Sequence, residues 1–141
     1  MAKRTAKAEW TGTLKDGAGT MRFGGGAFEG AYSFMSRFEE GEGTNPEELI
    51  AAAHAGCFSM AFANELDGAG YPPESVSTEA QVSLVKGDDG FEINRIHLVT
   101  EVSVSGISEE QFQEIAEAAK NGCPVSKALA GPEITVDATL K

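Results

Sequence analysis

The sequence predicts an α+β domain on a mostly antiparallel sheet, and three observations carry that prediction. Short segments of alternating polarity come in groups joined by tight turns. Helical patterns fall between those groups instead of alternating one-to-one with strands. One of the helices is apolar on almost every side. Together these give the order βββ-α-ββ-αα-β, an arrangement of hairpins and intervening helices. The 141 residues suit a single domain over positions 1–141, without repeat or linker. With 41% apolar and 23% charged residues the composition is globular.

Thr5 to Leu14 alternates, with Ala6, Ala8, Trp10, Gly12 and Leu14 on one face, and reads as a half-buried strand. Asp16-Gly17 turns the chain into a second strand over Gly19 to Phe23. Gly24-Gly25-Gly26 ends it, and a third strand follows over Ala31 to Phe38. The glycine run lacks a P-loop lysine and opens no helix, so it reads as a connection and not a phosphate cradle. Asn45-Pro46-Glu47-Glu48 starts a helix with an Asn cap, Pro at the first helical position and Glu at the third to complete a capping box. That helix runs to about Leu66 with almost no polar face, which predicts burial on all sides. A domain of this size does not enclose such a helix alone, so part of it is expected to pack on a second copy of the chain.

After the break at Tyr71-Pro72-Pro73, Val76 to Leu84 forms a strand, Asp88-Asp89-Gly90 turns the chain, and Phe91 to Val104 returns. The apolar phase of the returning strand shifts between Ile93 and Ile96, which places a bulge near Asn94. Ser108 with Gln111 caps a helix whose core side carries Phe112, Ile115, Ala116 and Ala119, and Gly122 closes it. Pro124 starts a short helix to about Ala130, and Ile134 to Leu140 is the last strand.

Eleven basic against 22 acidic residues leave a net charge of −11, which argues against nucleic acid and against anionic membrane surfaces as partners. The basic Met1 to Lys7 segment is followed by no apolar h-region, so no secretory signal is expected. The longest apolar stretch, Leu49 to Ala63, is shorter than the ~20 residues of a membrane span. The expected compartment is the reducing cytoplasm, where a cysteine pair is catalytic or metal-binding more often than structural.

Cys57 and Cys123 are the chain's two cysteines, and two are the minimum for a closed thiol–disulfide cycle. Cys57 sits in mid-helix among apolar residues, where burial alone raises a thiol pKa. To react it needs a cation, and Arg37 is the best candidate because a guanidinium stays charged when desolvated. A buried arginine needs a carboxylate, which Glu47 or Glu48 supplies. Glu47 and Cys57 are ten residues apart, about 15 Å along one helix. A site holding Glu47, Arg37 and Cys57 therefore draws Glu47 from a second copy or breaks the helix. Both this spacing and the all-apolar helix point to a site at a dimer interface. Cys123 precedes Pro124 at a helix cap, where backbone N–H groups favour a thiolate, and by that reasoning it is the more acidic thiol.

The residues Arg37-Phe38-Glu39, Gly43 to Met60 with Asn45-Pro46-Glu47-Glu48-Leu49 and His54-Ala55-Gly56-Cys57-Phe58, and Gly122-Cys123-Pro124-Val125-Ser126 carry a resemblance. The chain resembles the osmotically inducible protein C and organic hydroperoxide resistance family, nearer the first branch, over essentially its whole length. The resemblance implies a thiol-dependent peroxidase, best on organic hydroperoxides and weaker on hydrogen peroxide, in an intertwined homodimer with two interface sites. It implies that Cys57 is peroxidatic and Cys123 resolving, that Arg37 and Glu47 organise the site, and that an intramolecular disulfide forms. No bound cofactor is expected; an external dithiol of lipoyl type is the implied reductant. Phe34, Phe38, Phe58, Met60 and Phe62 would suit an alkyl hydroperoxide, or are simply core.

Other functions are weaker on the residues. His54 three positions before Cys57 suggests a cysteine hydrolase base, but an oxyanion hole and orienting residue are not identifiable, and a core or interface histidine is the simpler expectation. Cys57, Cys123, His54 and His97 match no compact zinc spacing. A dimeric redox-sensing or ligand-binding module without turnover is the remaining alternative.

Overall fold

A computed structural model describes residues 2–141, grouped into two compact units, Met1–Leu49 and Ile50–Lys141. The first unit holds an antiparallel sheet of β1 (Lys7–Thr11), β2 (Ala18–Phe23) and β3 (Phe28–Tyr32) in that order. A 3₁₀ turn at Gly24–Gly26 joins β2 to β3, with Gly25 at φ 66. β1 is exposed apart from Trp10, so the expectation of a half-buried first strand is corrected: within its unit little packs on its alternating face.

The predicted third strand is also corrected. Pairing ends at Tyr32, and Phe34–Phe38 is a helix, α1. Ser33 and Ser36 form a reciprocal capping box: each hydroxyl accepts from the other's backbone N–H, at 3.1 and 2.8 Å. That local pairing overrides the β propensity of the aromatic residues. The following loop is tied back where Thr44 N–H donates to Ala31 O at 2.8 Å. Gly43, at φ +109, makes this possible, because a Cβ there would press into the Ala31 carbonyl.

Helix α2 (Pro46–Gly68) opens with the predicted Asn cap and first-position Pro, but Glu48 turns to Thr44 and does not complete the expected capping box. Asn45 Oδ1 accepts from Glu48 N–H at 2.8 Å, while the Glu48 carboxylate accepts from the Thr44 hydroxyl at 2.9 Å. The turns of α2 in the second unit bury His54, Phe58, Phe62 and Leu66, a stripe at four-residue spacing. Ala52, Ala53, Gly56 and Met60 are exposed, Met60 at 77%. This open side is the part expected to pack on a second copy of the chain. Apart from Met60, small residues line the open side, and their little apolar surface demands less cover.

The second unit's sheet has the order β4 (Ser75–Gly87), β5 (Gly90–Ser103), β6 (Glu133–Leu140). β4 and β5 are antiparallel, and their register slips so that Ser83 faces Arg95 and Leu84 faces Ile93. Asn94 is the extra residue, the bulge that the phase shift predicts. β6 runs parallel to β5, reached through α3 (Glu109–Gly122) and α4 (Pro124–Ala128). Ser108 caps α3 by accepting from Gln111 N–H at 3.2 Å. Ile96, Leu98 and Val102 of β5 share one core with Phe58, Phe62 and Leu66 of α2 and Phe112, Ala116 and Ala119 of α3. The Phe62 ring lies 5.6 Å from that of Phe58 and 5.3 Å from that of Phe112. A hydroxyl chain, Ser59 to Thr78 at 2.8 Å and Thr78 to Thr100 at 3.0 Å, fixes the rotation of α2 against the sheet. No helix among the described residues is long and apolar enough to cross a membrane.

Truncating the central ring of this aromatic run tests the core. Phe62→Ala is expected to cost about 3–5 kcal/mol, read as a lower midpoint in chemical denaturation; an unchanged midpoint would show that the core is assigned to the wrong residues.

Candidate active site

The structure gathers the predicted site residues as two pairs, one in each unit. In the first unit Arg37 lies in the last turn of α1. Two bonds clamp α1 to the segment leading into α2: Ser36 Oγ donates to Thr44 O at 2.7 Å, and Asn45 Nδ2 donates to Ser36 O at 2.9 Å. Arg37 and Glu47 flank this clamp in sequence and meet across it. Arg37 Nη2 donates to Glu47 Oε1 at 2.8 Å, and Nε reaches both carboxylate oxygens at 3.2 and 3.3 Å. Such a fork fixes the guanidinium plane as well as its charge. Glu47 is buried, whereas the Arg37 side chain keeps 35% of its exposure. Of the two carboxylates predicted for Arg37, the structure selects Glu47.

A cavity of about 420 Å³ opens beside the pair, lined chiefly by Trp10, Leu14, Tyr32, Phe34, Arg37 and Phe38. The Arg37 guanidinium carbon stands 5.2 Å from the Phe38 ring centroid. The predicted aromatic cluster thus divides: Phe34 and Phe38 line this hollow, while Phe58 and Phe62 are core.

In the second unit Cys57, on α2, and Cys123, between α3 and α4, come together. Both are free thiols, and their sulfurs are 3.0 Å apart. At that distance one S–H donates to the other sulfur. Cys123 is fully buried, Cys57 partly exposed. Cys123 N–H donates to Ala119 O at 2.9 Å and its carbonyl accepts from Lys127 N–H at 3.1 Å, so the residue ends one helix and begins the next.

The surroundings separate the two thiols electrostatically. Burial raises the Cys57 pKa, and the shared proton from its side of the Cys123 contact raises it further, against a smaller opposing effect of the Val125 N–H. At Cys123 burial also opposes ionisation, but it is outweighed. The Cys57 thiol, the Ser126 N–H and hydroxyl, and the Val125 N–H all favour the thiolate, and the pKa falls below the ordinary thiol value. The cap reasoning that made Cys123 the more acidic thiol agrees with this.

His54 is fully buried, and its Nε2 lies 2.7 Å from Ser126 Oγ. Its Nδ1 is buried without a partner, so the expected core histidine is only half satisfied. Burial lowers the His54 pKa. Ser126 is the residue that sequence reasoning passed over except as part of a motif. The spacings His54-x-x-Cys57 and Cys123-x-x-Ser126 place each polar residue one turn from a thiol, and that was the available signal. His97 lies on β5 beside Thr135, far from these groups in sequence. No group of three or more His, Cys, Asp or Glu among the described residues is placed to hold a metal ion.

The family model described as "OsmC-like protein" matches residues 39–138, which include Glu47, both cysteines, His54 and Ser126. The chain belongs to that family. This OsmC-like chain is 49% identical to the Peroxiredoxin OsmC of Escherichia coli K12 over 139 residues, covering 98% of the chain and 96% of that relative. The crystal structure of the organic hydroperoxide resistance protein OhrB of Bacillus subtilis matches with a TM-score of 0.74 at 30% identity, covering 97% of the chain and 98% of that structure. An organic hydroperoxide resistance protein OsmC from Legionella pneumophila matches with a TM-score of 0.76 at 25% identity, covering 100% and 99%. The α+β fold read from the sequence is that of these structures.

The pKa directions of the OsmC-like chain give a titration prediction. In the reduced Arg37→Ala protein, which lacks the candidate cation, thiolate absorbance should rise in two separated steps, the first below and the second above the ordinary thiol range. Between the steps Cys123 is the thiolate and Cys57 holds the shared proton. Two coincident ionisations at an ordinary value would contradict the assigned contacts.

Proposed function

We propose that this chain reduces organic hydroperoxides with Cys57 as the peroxidatic thiol and Cys123 as the resolving thiol, in a homodimer whose subunits complete each other's sites. Membership of a family whose named relatives are a peroxiredoxin and organic hydroperoxide resistance proteins makes it a cysteine-based peroxidase. The observation that carries the residue roles is the contrast between two thiols 3.0 Å apart: the accessible one is Cys57, and the buried, more acidic one is Cys123. A hydroperoxide reaches only an exposed sulfur, so accessibility outweighs acidity in choosing the first nucleophile. The acidic buried neighbour suits the second step.

The Cys57 thiolate attacks the hydroperoxide, the O–O bond breaks, and the alkoxide leaves as alcohol after taking a proton. The sulfur, now a sulfenic acid, is attacked by the Cys123 thiolate; an S–S bond forms, the S–O bond breaks and water leaves. An external dithiol returns both cysteines to thiols by exchange and is itself oxidised to a disulfide. A lipoyl-type dithiol is the expected reductant, and no bound cofactor takes part.

The groups that set the Cys57 ionisation are burial, Cys123 and Val125, none of them a cation, and together they disfavour the thiolate. The Arg37–Glu47 fork is a fixed cation beside an apolar hollow. On one helix Glu47 and Cys57 are separated by ten residues, about 15 Å, which no side chain spans. The cation for Cys57 therefore comes from Arg37 of the partner subunit, and the open Ala52, Ala53, Gly56 and Met60 side of α2 supports a second copy nearby. Arg37 lowers the thiolate energy and stabilises the departing alkoxide. Its aromatic walls favour an alkyl substituent over hydrogen peroxide. The cytoplasm is the compartment in which this cycle is kept reduced.

Steady-state turnover with excess cumene hydroperoxide and dihydrolipoamide tests the reading. Wild type should turn over repeatedly and prefer cumene hydroperoxide to hydrogen peroxide, Cys57→Ser should be inactive, and Arg37→Ala should lose about 10²–10³ in kcat/KM. A single oxidation without recycling would identify a sensor. Refolding Cys57→Ser together with Arg37→Ala should regain activity, since mixed dimers then hold one intact site; no recovery would refute the shared site.

A further inference from the structure

We propose that His54 and Ser126 are positioning residues for Cys123: neutral His54 donates its Nε2–H to Ser126 Oγ, and the Ser126 hydroxyl turns its own proton onto the Cys123 sulfur. The inference rests on the reading of Cys123 as the resolving thiol and adds the device that holds it ready.

The geometry selects one direction for the chain of hydrogen bonds. His54 Nε2 and Ser126 Oγ are 2.7 Å apart, and both residues are buried. Buried away from water, neither can exchange its partner for solvent. His54 Nδ1 has no partner. If the ring proton sat on Nδ1, a buried N–H would go unpaired, and Ser126 would spend its single proton on Nε2. With the proton on Nε2, the unpaired atom is an acceptor, and two hydrogen bonds form where the other tautomer makes one. The tautomer is thus fixed by what its other nitrogen faces. Burial keeps the imidazole neutral, consistent with this arrangement.

The far end of the chain meets Cys123 and not Cys57. Cys123 is favoured as thiolate by the Ser126 N–H, the Ser126 hydroxyl and the Val125 N–H, whereas at Cys57 Val125 N–H is the one backbone group that does so. A serine hydroxyl is free to rotate and can equally donate toward a backbone carbonyl. Accepting from His54 removes the direction toward the imidazole and leaves the hydroxyl proton available to the Cys123 sulfur. The residue spacing that makes this possible is one helical turn twice over, His54 to Cys57 on α2 and Cys123 to Ser126 around the start of α4. Cys57 meets Cys123 at 3.0 Å and His54 meets Ser126 at 2.7 Å, contacts that span 66 and 72 residues of sequence.

The benefit falls on the second chemical step. The Cys123 thiolate attacks the Cys57 sulfenic sulfur, the S–S bond forms and the S–O bond breaks. The departing hydroxide takes its proton from solvent, so neither His54 nor Ser126 is consumed. Their effect is to raise the fraction of Cys123 present as thiolate and to aim it. A slow second step would leave the sulfenic acid exposed to further oxidation.

The Cys57→Ser protein isolates the Cys123 ionisation, which is followed by ultraviolet thiolate absorbance against pH. Adding Ser126→Ala or His54→Leu should cut the thiolate fraction at neutral pH about tenfold, the loss of one hydrogen bond to a charged sulfur. Ser126→Thr and His54→Gln, which keep a hydroxyl and an N–H, should restore most of it. In proteins retaining Cys57, the first two substitutions should slow disulfide formation after one equivalent of cumene hydroperoxide by a similar factor. Raising the pH should recover that rate, and sulfenic acid formation should not be slowed. Packing damage alone would slow both steps and would not be recovered by pH. An unmoved Cys123 titration in both Ser126→Ala and His54→Leu overturns the inference even if wild type is an active peroxidase. A shifted titration in a chain that reduces no hydroperoxide sustains the inference about Cys123 ionisation and defeats the peroxidase reading.

Discussion

Two sulfurs held 3.0 Å apart within one unit are the constraint on which the rest of this molecule depends. A thiol on the middle of a long helix is ordinarily inert, because burial raises its pKa and nothing nearby can trap what it forms. Placing a second thiol in contact changes both conditions. Whichever sulfur is oxidised first has its reductant in place, and the proton shared between them makes one thiol acidic at the expense of the other. Much of the second unit serves that contact: the aromatic run through Phe62 and the hydroxyl chain from Ser59 set the position of α2, and the α3–α4 junction presents Cys123 from the other side.

The same contact creates a deficit. Polarising the pair toward Cys123 leaves the partly exposed Cys57 with a raised pKa and no cation among the groups that set it. The first unit holds the complementary feature, a guanidinium fixed in plane by a buried carboxylate and set in an apolar hollow. Fixing the guanidinium matters as much as its charge, because a preoriented donor need not reorganise when an oxyanion develops. The proposed dimer joins deficit and supply. It also accounts for why α2 carries small residues on the side left open in a single chain.

Features governed by local rules were legible in the sequence. The Asn45 cap, the Ser108 cap and the Asn94 bulge each follow from a few neighbouring residues, and each is present. The need of a cation for a carboxylate pointed Arg37 to Glu47 or Glu48, the family resemblance named Glu47, and the ion pair is with Glu47. The misreadings arose where a local signal competed with a weaker pattern or where burial depends on distant surfaces. Ser33 and Ser36 cap a helix inside what reads as an aromatic strand, and an S-x-x-S box is easily overlooked without its usual Glu. The burial of β1 was overstated because apolar character says that a face should be covered but not by what. The meeting of Cys57 with Cys123 and of His54 with Ser126 spans 66 and 72 residues, a closure set by packing of the whole unit. Only the family resemblance anticipated the first, and nothing anticipated the second.

Mass analysis of the intact wild-type protein and its peptides after one equivalent of cumene hydroperoxide tests the central claim most directly. The account predicts loss of two thiols and a single crosslinked peptide pair joining Cys57 to Cys123 within one chain. A persistent sulfenic acid with Cys123 still free, or a disulfide joining two chains, would contradict it.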